Sequence, residues 1–388
     1  MFGGQGDIWS TIIWFVLFIF VMLFGSRMMV TQTIFKLEKD VLELEELAAK
    51  SKGYVFTKVK PSSKAKQSIN NFMEFFAVPP VSSDPYGVMK KLDHIIKLAD
   101  KRFNYFVNTI IPDASTVEKR NLRGALSGAM TTYQIAKIVR HYLEQIKKYK
   151  MLQLAMILQM QIPMISAMAK SATKATKAFI DGVPIGDGIG PLVVAHLMNG
   201  KVNVMDDEEF CYMEGKLYGR RVILAKADGP GATVAMPGKF IQKIMKRRKI
   251  TRIITVDAGL RMEGEKAGTV AEGVGVAMNP AGTDRYDIEE AAVNKNIPLD
   301  AIVIKVSEEE ALTPMTKEVL NSISDAIETL KENVDRSNKN DLILIMGVGN
   351  TCGIGNSPKA AIEAEKLARK HSKTEEKPKK KYLNKLGL

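Results

Sequence analysis

Leu342 to Gly355 reads LILIMGVGNTCGIG, five apolar residues running straight into a chain of glycines. A strand with one wet face alternates apolar and polar side chains. This run does not, so it predicts a strand covered on both faces, as in a parallel sheet. Three further runs share the texture: Arg221–Ala227 (RVILAKA), Arg252–Val256 (RIITV) and Ala301–Val306 (AIVIKV). Helical patterns alternate with them at Pro191–Met198, Pro237–Arg247, Ile288–Asn294, Pro314–Val334 and Ser357–Lys370. The alternation predicts an α/β domain over 181–371 with a mostly parallel sheet.

In such sheets ligands bind outside the carboxyl ends of the strands. RVILAKA ends at Asp228-Gly229-Pro-Gly231, RIITV at Asp257, and LILIM at Gly347-Val-Gly349-Asn350. A fourth corner, Gly186-Asp187-Gly188-Ile-Gly190-Pro191, opens a helix. Glycines there let backbone N–H groups approach an anion or a peptide, and a helix N-terminus adds positive potential. Asp and Gly are also good turn residues in their own right.

Asp187 and Asp257 form the central candidate pair. Two carboxyls held close cannot both ionise. The ionised partner can activate water while the protonated one polarises a carbonyl, which is aspartate-type hydrolysis. With a divalent metal between them the same residues become ligands. Asp228, Glu263, Glu265 and Glu272 are available to join either arrangement. No cofactor is required, and the metal's identity is left open. Cys352 has no His beside it to act as its base.

Upstream, Ile8–Phe24 (IWSTIIWFVLFIFVMLF) carries no charge. With the residues up to Val30 it reaches the length needed to cross about 30 Å of hydrocarbon. Nothing basic precedes it, while Arg27, Lys36 and Lys39 follow, so the positive-inside rule predicts an N-out, single-pass anchor over 1–30 with the bulk of the chain cytoplasmic. Val30, Ile34, Leu37, Val41, Leu44 and Ala48 then fall on a heptad seam among charges. They predict a stalk helix or short coiled coil over 31–53, ended by Gly53. A helical domain is expected over 54–180, with a basic linker, Lys58–Lys66, near its start. Asp84-Pro85 predicts one helix start there, and Ser115-Thr116 with Glu118 predicts another, running to about Tyr149. Met151–Met168 is uncharged, but Gln153, Gln159, Gln161 and Pro163 favour a Met-rich core or interface helix over a second span.

Net charge is +13, from 56 Lys+Arg against 43 Asp+Glu. Part of the excess lies in a basic tail over 372–388. With no recognisable nucleic-acid module beside it, this charge points to attraction to the membrane surface, or to plain solubility, rather than to nucleic acid. Two cysteines form no disulfide framework.

The motifs carry a resemblance. Gly186-Asp187-Gly-Ile-Gly-Pro191-Leu-Val-Val resembles the D-G-x-G-P-x-V-V corner of hydrogenase maturation proteases and the D-x-L-G-P-x-V-V corner of spore germination proteases. Ile253-Ile-Thr-Val-Asp257-Ala-Gly-Leu resembles the germination-protease strand whose Asp is taken as catalytic. The resemblance covers roughly 181–356 and implies peptidase chemistry. In those families a strand ending G-x-G-N precedes the corner. Here Gly347-Val-Gly349-Asn350 follows it, which a circular permutation would explain. GDGIGP also opens isocitrate and isopropylmalate dehydrogenases, but their following Glu is Leu192 here. Over its whole length the chain is similar to a family of archaeal membrane proteins of unknown function. Two functions follow as expectations: a membrane-anchored hydrolase using Asp187 and Asp257, or a non-catalytic membrane-tethered scaffold that binds a peptide, nucleotide or phosphate ligand and oligomerises through its stalk and helical domain.

Overall fold

The computed structural model describes residues 6–59, 63–78, 87–277 and 283–375. The expected helix start at Asp84-Pro85 and the basic tail beyond 375 lie outside them. Helix α1 (Gly6–Lys58) runs unbroken from the apolar segment through the charged one. Gly53 does not end it. A glycine costs a helix interior about 1 kcal/mol, and Val55 and Val59 beyond it are buried, which outweighs that cost. Next come α2 (Ser63–Phe72), α3 (Val88–Ile110), α4 (Thr116–Tyr149) and α5 (Leu152–Asp181). At the start of α4 the Ser115 side chain accepts from Glu118 N, and the Glu118 carboxylate accepts from Ser115 N.

The heptad seam of α1 is filled from within the chain. Val30, Ile34, Leu37, Val41, Leu44 and Ala48 share one core with Val139, Leu143 and Ile146 of α4 and Leu158 and Ile162 of α5. The result is a three-helix bundle, and the seam is not open to a second copy. Ion pairs Glu38–Lys147 (2.6 Å), Glu45–Arg140 (2.7 Å) and Glu43–Lys170 (2.7 Å) fix its register. Past the bundle, α1 exposes bulky apolar side chains on every side from Trp9 to Val21. Helix α5 is long and apolar enough to cross a membrane.

The rest of the chain runs α6 (Ile189–Leu197), β1 (Asn203–Met205), β2 (Phe210–Leu217), β3 (Arg220–Ala227), α7 (Pro237–Arg247), β4 (Arg252–Leu260), β5 (Val270–Val274), α8 (Thr283–Val293), β6 (Leu299–Val306), α9 (Glu308–Leu312), α10 (Lys317–Asn321), α11 (Ile323–Asp335), β7 (Leu342–Gly347) and α12 (Pro358–Glu375). The single helix expected over Pro314–Val334 is broken at Ser322 into α10 and α11. The strand order is β1-β2-β3-β7-β4-β6-β5.

The sheet is mixed, which corrects the mostly parallel expectation. Only β3-β7-β4-β6 are mutually parallel, while β1, β2 and β5 add antiparallel edges. The four apolar runs are this parallel centre, buried between two helical layers. One layer comprises α6, α10, α11 and α12, the other α7 and α8. The edge strands carry no such signal. β1 has three residues, β5 is largely exposed, and β2 is interrupted by Glu214 and Gly215.

Candidate functional site at the carboxyl ends of the central strands

β7 and β4 lie side by side, and the turn Gly186–Gly188 with the first turn of α6 crosses their carboxyl ends. The crossing is closer than any side chain permits. A Cβ on Gly190 would stand 2.2 Å from the Val256 carbonyl oxygen and 2.5 Å from that of Val348. Gly349, at φ +130°, would meet the Asp187 carbonyl oxygen at 1.9 Å. Gly186, Gly188, Gly229 and Gly347 abut backbone oxygens of Glu310, Asn350, Ile354 and Gly190, and Gly231 abuts the Arg120 side chain. The glycines expected to open N–H groups to a ligand thus let the chain close on itself.

The closure brings the two candidate acids within electrostatic reach. Asp187, half-buried on the turn, accepts a 2.8 Å hydrogen bond at Oδ2 from Asn350 N. Burial pushes its carboxyl up, and the Asn350 N–H partly opposes that. Asp257, near the end of β4, is 5% exposed. Burial pushes it well above the carboxylate range, and the charge of Asp187 adds to the shift. Val256 faces the α6-side core, so the pleat turns Asp257 to the other face of the sheet. The two carboxyls make no direct hydrogen bond among the described residues. A shared proton requires a bridging water or a movement that brings the carboxyls together. No group of three His, Cys, Asp or Glu able to hold a metal occurs among the described residues, so the pair lacks a third ligand of that kind.

Asp228 is used elsewhere. Its Oδ2 accepts from Arg120 Nη1 (3.0 Å) and its Oδ1 from Asn356 Nδ2 (2.8 Å), tying α4 to the end of β3. Glu265 pairs with Lys305 and Glu272 with Arg336, and neither acts on the acid pair. Cys352 is fully buried and its thiol is pushed up to about 12 by burial, which makes it a packing residue.

A cleft of about 460 Å³ lies where α3 and α4 meet the α/β domain, with Asp100, Asn104, Arg123, Glu209, Thr233 and Asn350 in its wall. Neither Asp187 nor Asp257 lines it. Asn350 connects the two places: it lines the cleft, and its N–H donates to Asp187. Arg123 donates to Glu209 Oε2 at 2.9 Å, and Thr233 Oγ1 donates to the same oxygen at 2.6 Å. Burial pushes Glu209 up, but the Arg123 charge and these bonds hold it below the carboxylate range. Behind the seam, Lys226 is wholly buried. Its Nζ donates to Asn356 Oδ1 (2.6 Å) and Ala227 O (3.0 Å), and burial pushes it down to about 8.

Sequence motifs did not mark Arg120, Arg123, Glu209, Lys226 or Asn356. For Lys226 a signal exists, a cation inside the apolar run RVILAKA. For Arg120 and Arg123 it is their place beside Leu122 and Leu126 on the buried side of α4.

These features define a two-part protein, a helical bundle with a long exposed apolar helix end and a mixed α/β domain, joined across a polar cleft. The chain belongs to the DUF1512 family of proteins of unknown function. Residues 11–182 match the model of its N-terminal domain and 185–355 that of its C-terminal domain. The two matches meet at the end of α5, where Gly182 caps the helix in the left-handed conformation. A comparison with curated proteins gives no match.

Proposed function

We propose that the chain is a membrane-anchored hydrolase of peptidase type whose acid pair is Asp187 and Asp257. One observation carries the reading. Two carboxyls seventy positions apart come into electrostatic reach at the sheet edge, and both are driven toward their protonated form by burial. Asp187, with the Asn350 N–H on its oxygen, is the member that ionises first and serves as base toward water. Asp257 retains its proton and polarises the carbonyl.

The resemblance to the maturation and germination proteases supports this assignment. A circular permutation with Leu342–Met346 in the first-strand slot requires Asn350 beside Asp187, and those residues are hydrogen-bonded. The apolar end of α1 supports the anchor, and Arg27, Lys36 and Lys39 support an N-out orientation with the bulk in the cytoplasm.

The test uses the full chain in detergent micelles and a fluorogenic peptide library, with wild type compared against Asp187→Asn and Asp257→Asn. The expected result is cleavage by the wild type and a loss of at least about 100-fold in each variant. Equal cleavage by all three removes the pair.

The corner glycines support a second reading, a non-catalytic tethered scaffold, because they are committed to the chain's own backbone. That reading predicts no cleavage by the wild type, and any phosphate or nucleotide that raises its Tm would bind away from those corners.

A further inference from the structure

The tip of the α4–α5 hairpin carries a patch of apolar side chains that no part of the described chain covers. Tyr149, Met151, Met156, Ile157 and Met160 are each at least 45% exposed. The bundle register shows where the patch stands relative to α1. Glu38–Lys147 and Glu45–Arg140 step in opposite directions along α1 and α4, so the helices are antiparallel and Lys150 comes level with about residue 35 of α1. Along α5, Glu43–Lys170 and the Ser51–Thr173 hydroxyl bond (3.0 Å) place Leu152 level with about residues 25–30. Those are the levels at which the apolar end of α1 gives way to Lys36, Glu38 and Lys39. The exposed tip therefore sits where an anchored α1 leaves hydrocarbon for head groups.

The chemistry of the tip suits that place. Lys148 and Lys150 flank Tyr149, both exposed and without an ion pair among the described residues, and Lys148 lies over the Tyr149 ring. An aromatic ring, flexible thioethers and free cations at one level match an anionic interface. Helix α5 does not cross the bilayer in this arrangement. It runs beside the stretch of α1 bearing Glu38, Lys39, Asp40, Glu43 and Glu45, which would be drawn into hydrocarbon with it.

We propose that the α4–α5 tip is a second membrane contact, with Tyr149, Met151, Met156, Ile157 and Met160 in the lipid interface and Lys148 and Lys150 on anionic head groups. The proposal rests on the reading of α1 as an anchor and adds that the bundle is held against the bilayer rather than swinging from one helix.

The test is nitroxide depth measurement on the full chain in vesicles of phosphatidylcholine with or without phosphatidylglycerol. Labels go on Met156→Cys, Met160→Cys, Met168→Cys and Phe18→Cys, since native Cys211 and Cys352 are buried. Position 18 should be accessible to oxygen and shielded from a water-soluble nickel chelate. Positions 156 and 160 should show an oxygen-to-nickel accessibility ratio severalfold above that of 168, which lies about 18 Å and about 12 Å further along the bundle, respectively. Lys148→Glu with Lys150→Glu should lower that ratio in anionic vesicles and leave it unchanged in neutral ones. If 18 is in lipid while 156 and 160 match 168, the tip contact is overturned and the anchor stands. Shielding of 156 and 160 from both reagents, with spin coupling between copies, overturns it in favour of a second copy of the chain. Water exposure at 18 overturns the anchor and the tip contact together.

Discussion

The helical half of the molecule and its α/β half break the ordinary burial pattern in opposite directions. The bundle wears large apolar groups outside: the whole turn set from Trp9 to Val21, and Met156, Met160, Met164 and Met168 down one side of α5. The sheet domain carries ionisable groups inside: Asp257 and Lys226, each in the carboxyl-terminal half of a parallel strand. Both departures oppose folding in water, since exposed apolar patches favour association and buried charges must be desolvated. Neither is explained by packing alone. Under the proposed function the contrast separates two jobs, contact with an apolar phase in one half and chemistry or ligand recognition in the other.

A bundle with a true interior as well as an apolar exterior draws its stability from its buried side chains. Leu143 is fully buried between α1 and α5. Leu143→Ala should cost about 3 kcal/mol in urea unfolding of the full chain in detergent. A cost near zero would mean that the seam of α1 is not filled by α4 and α5. Arg123→Met addresses the seam between the halves. It leaves Glu209, about one-fifth exposed, without its principal cation. The expected loss is about 2 kcal/mol, below that of a fully buried pair because water still reaches both groups. The loss should shrink as pH falls, because Glu209 is held below the carboxylate range and protonating it removes the stranded charge.

The sequence shows these two halves unequally, for physical reasons. A parallel strand covered on both faces needs an unbroken apolar run, so β3, β4, β6 and β7 are visible in RVILAKA, RIITV, AIVIKV and LILIM. Antiparallel strands outside the parallel centre need no such run, and β1, β2 and β5 are not visible. The heptad seam from Val30 to Ala48 is visible, but its partner is not, because a seam looks the same whether a second chain or a returning helix fills it. The pairing of Asp187 with Asn350 leaves only a trace, in glycine-rich corners that also read as ligand loops. Spacing does not reveal that those glycines face backbone carbonyls. The cleft between α4 and the sheet is set by side chains from segments about a hundred residues apart, such as Arg123 and Glu209, and no local pattern encodes it.

Asp257 and Lys226 make stability depend on pH in opposite senses. The Asp257 carboxyl is raised in the folded chain relative to the unfolded one, so the folded state binds the extra proton and stability falls as pH rises above about 4. Asp257→Asn should therefore raise Tm at pH 7 and lose that advantage toward pH 4. A variant that is less stable at pH 7 would show that the carboxylate is structural. For Lys226 the sign is reversed. Its folded value of about 8 lies below the ordinary 10.5, so the unfolded chain binds the proton between them and stability rises across that interval. Lys226→Met should abolish the rise, and its persistence would assign it to another group.

The smallest expected effect sits on the outer face of α5. Met160 is 70% exposed, so its side chain gives the fold almost nothing in water. Met160→Gln keeps the length and flexibility of the side chain and removes its affinity for an apolar phase. Chemical unfolding of the detergent-solubilised chain should change by no more than about 0.5 kcal/mol. Set against Leu143→Ala on the neighbouring helix, the pair measures inner and outer faces of one bundle with the same denaturant. Comparable losses for both would mean that Met160 is covered, and the division into an outward-apolar half and an inward-charged half would then fail at its most exposed residue.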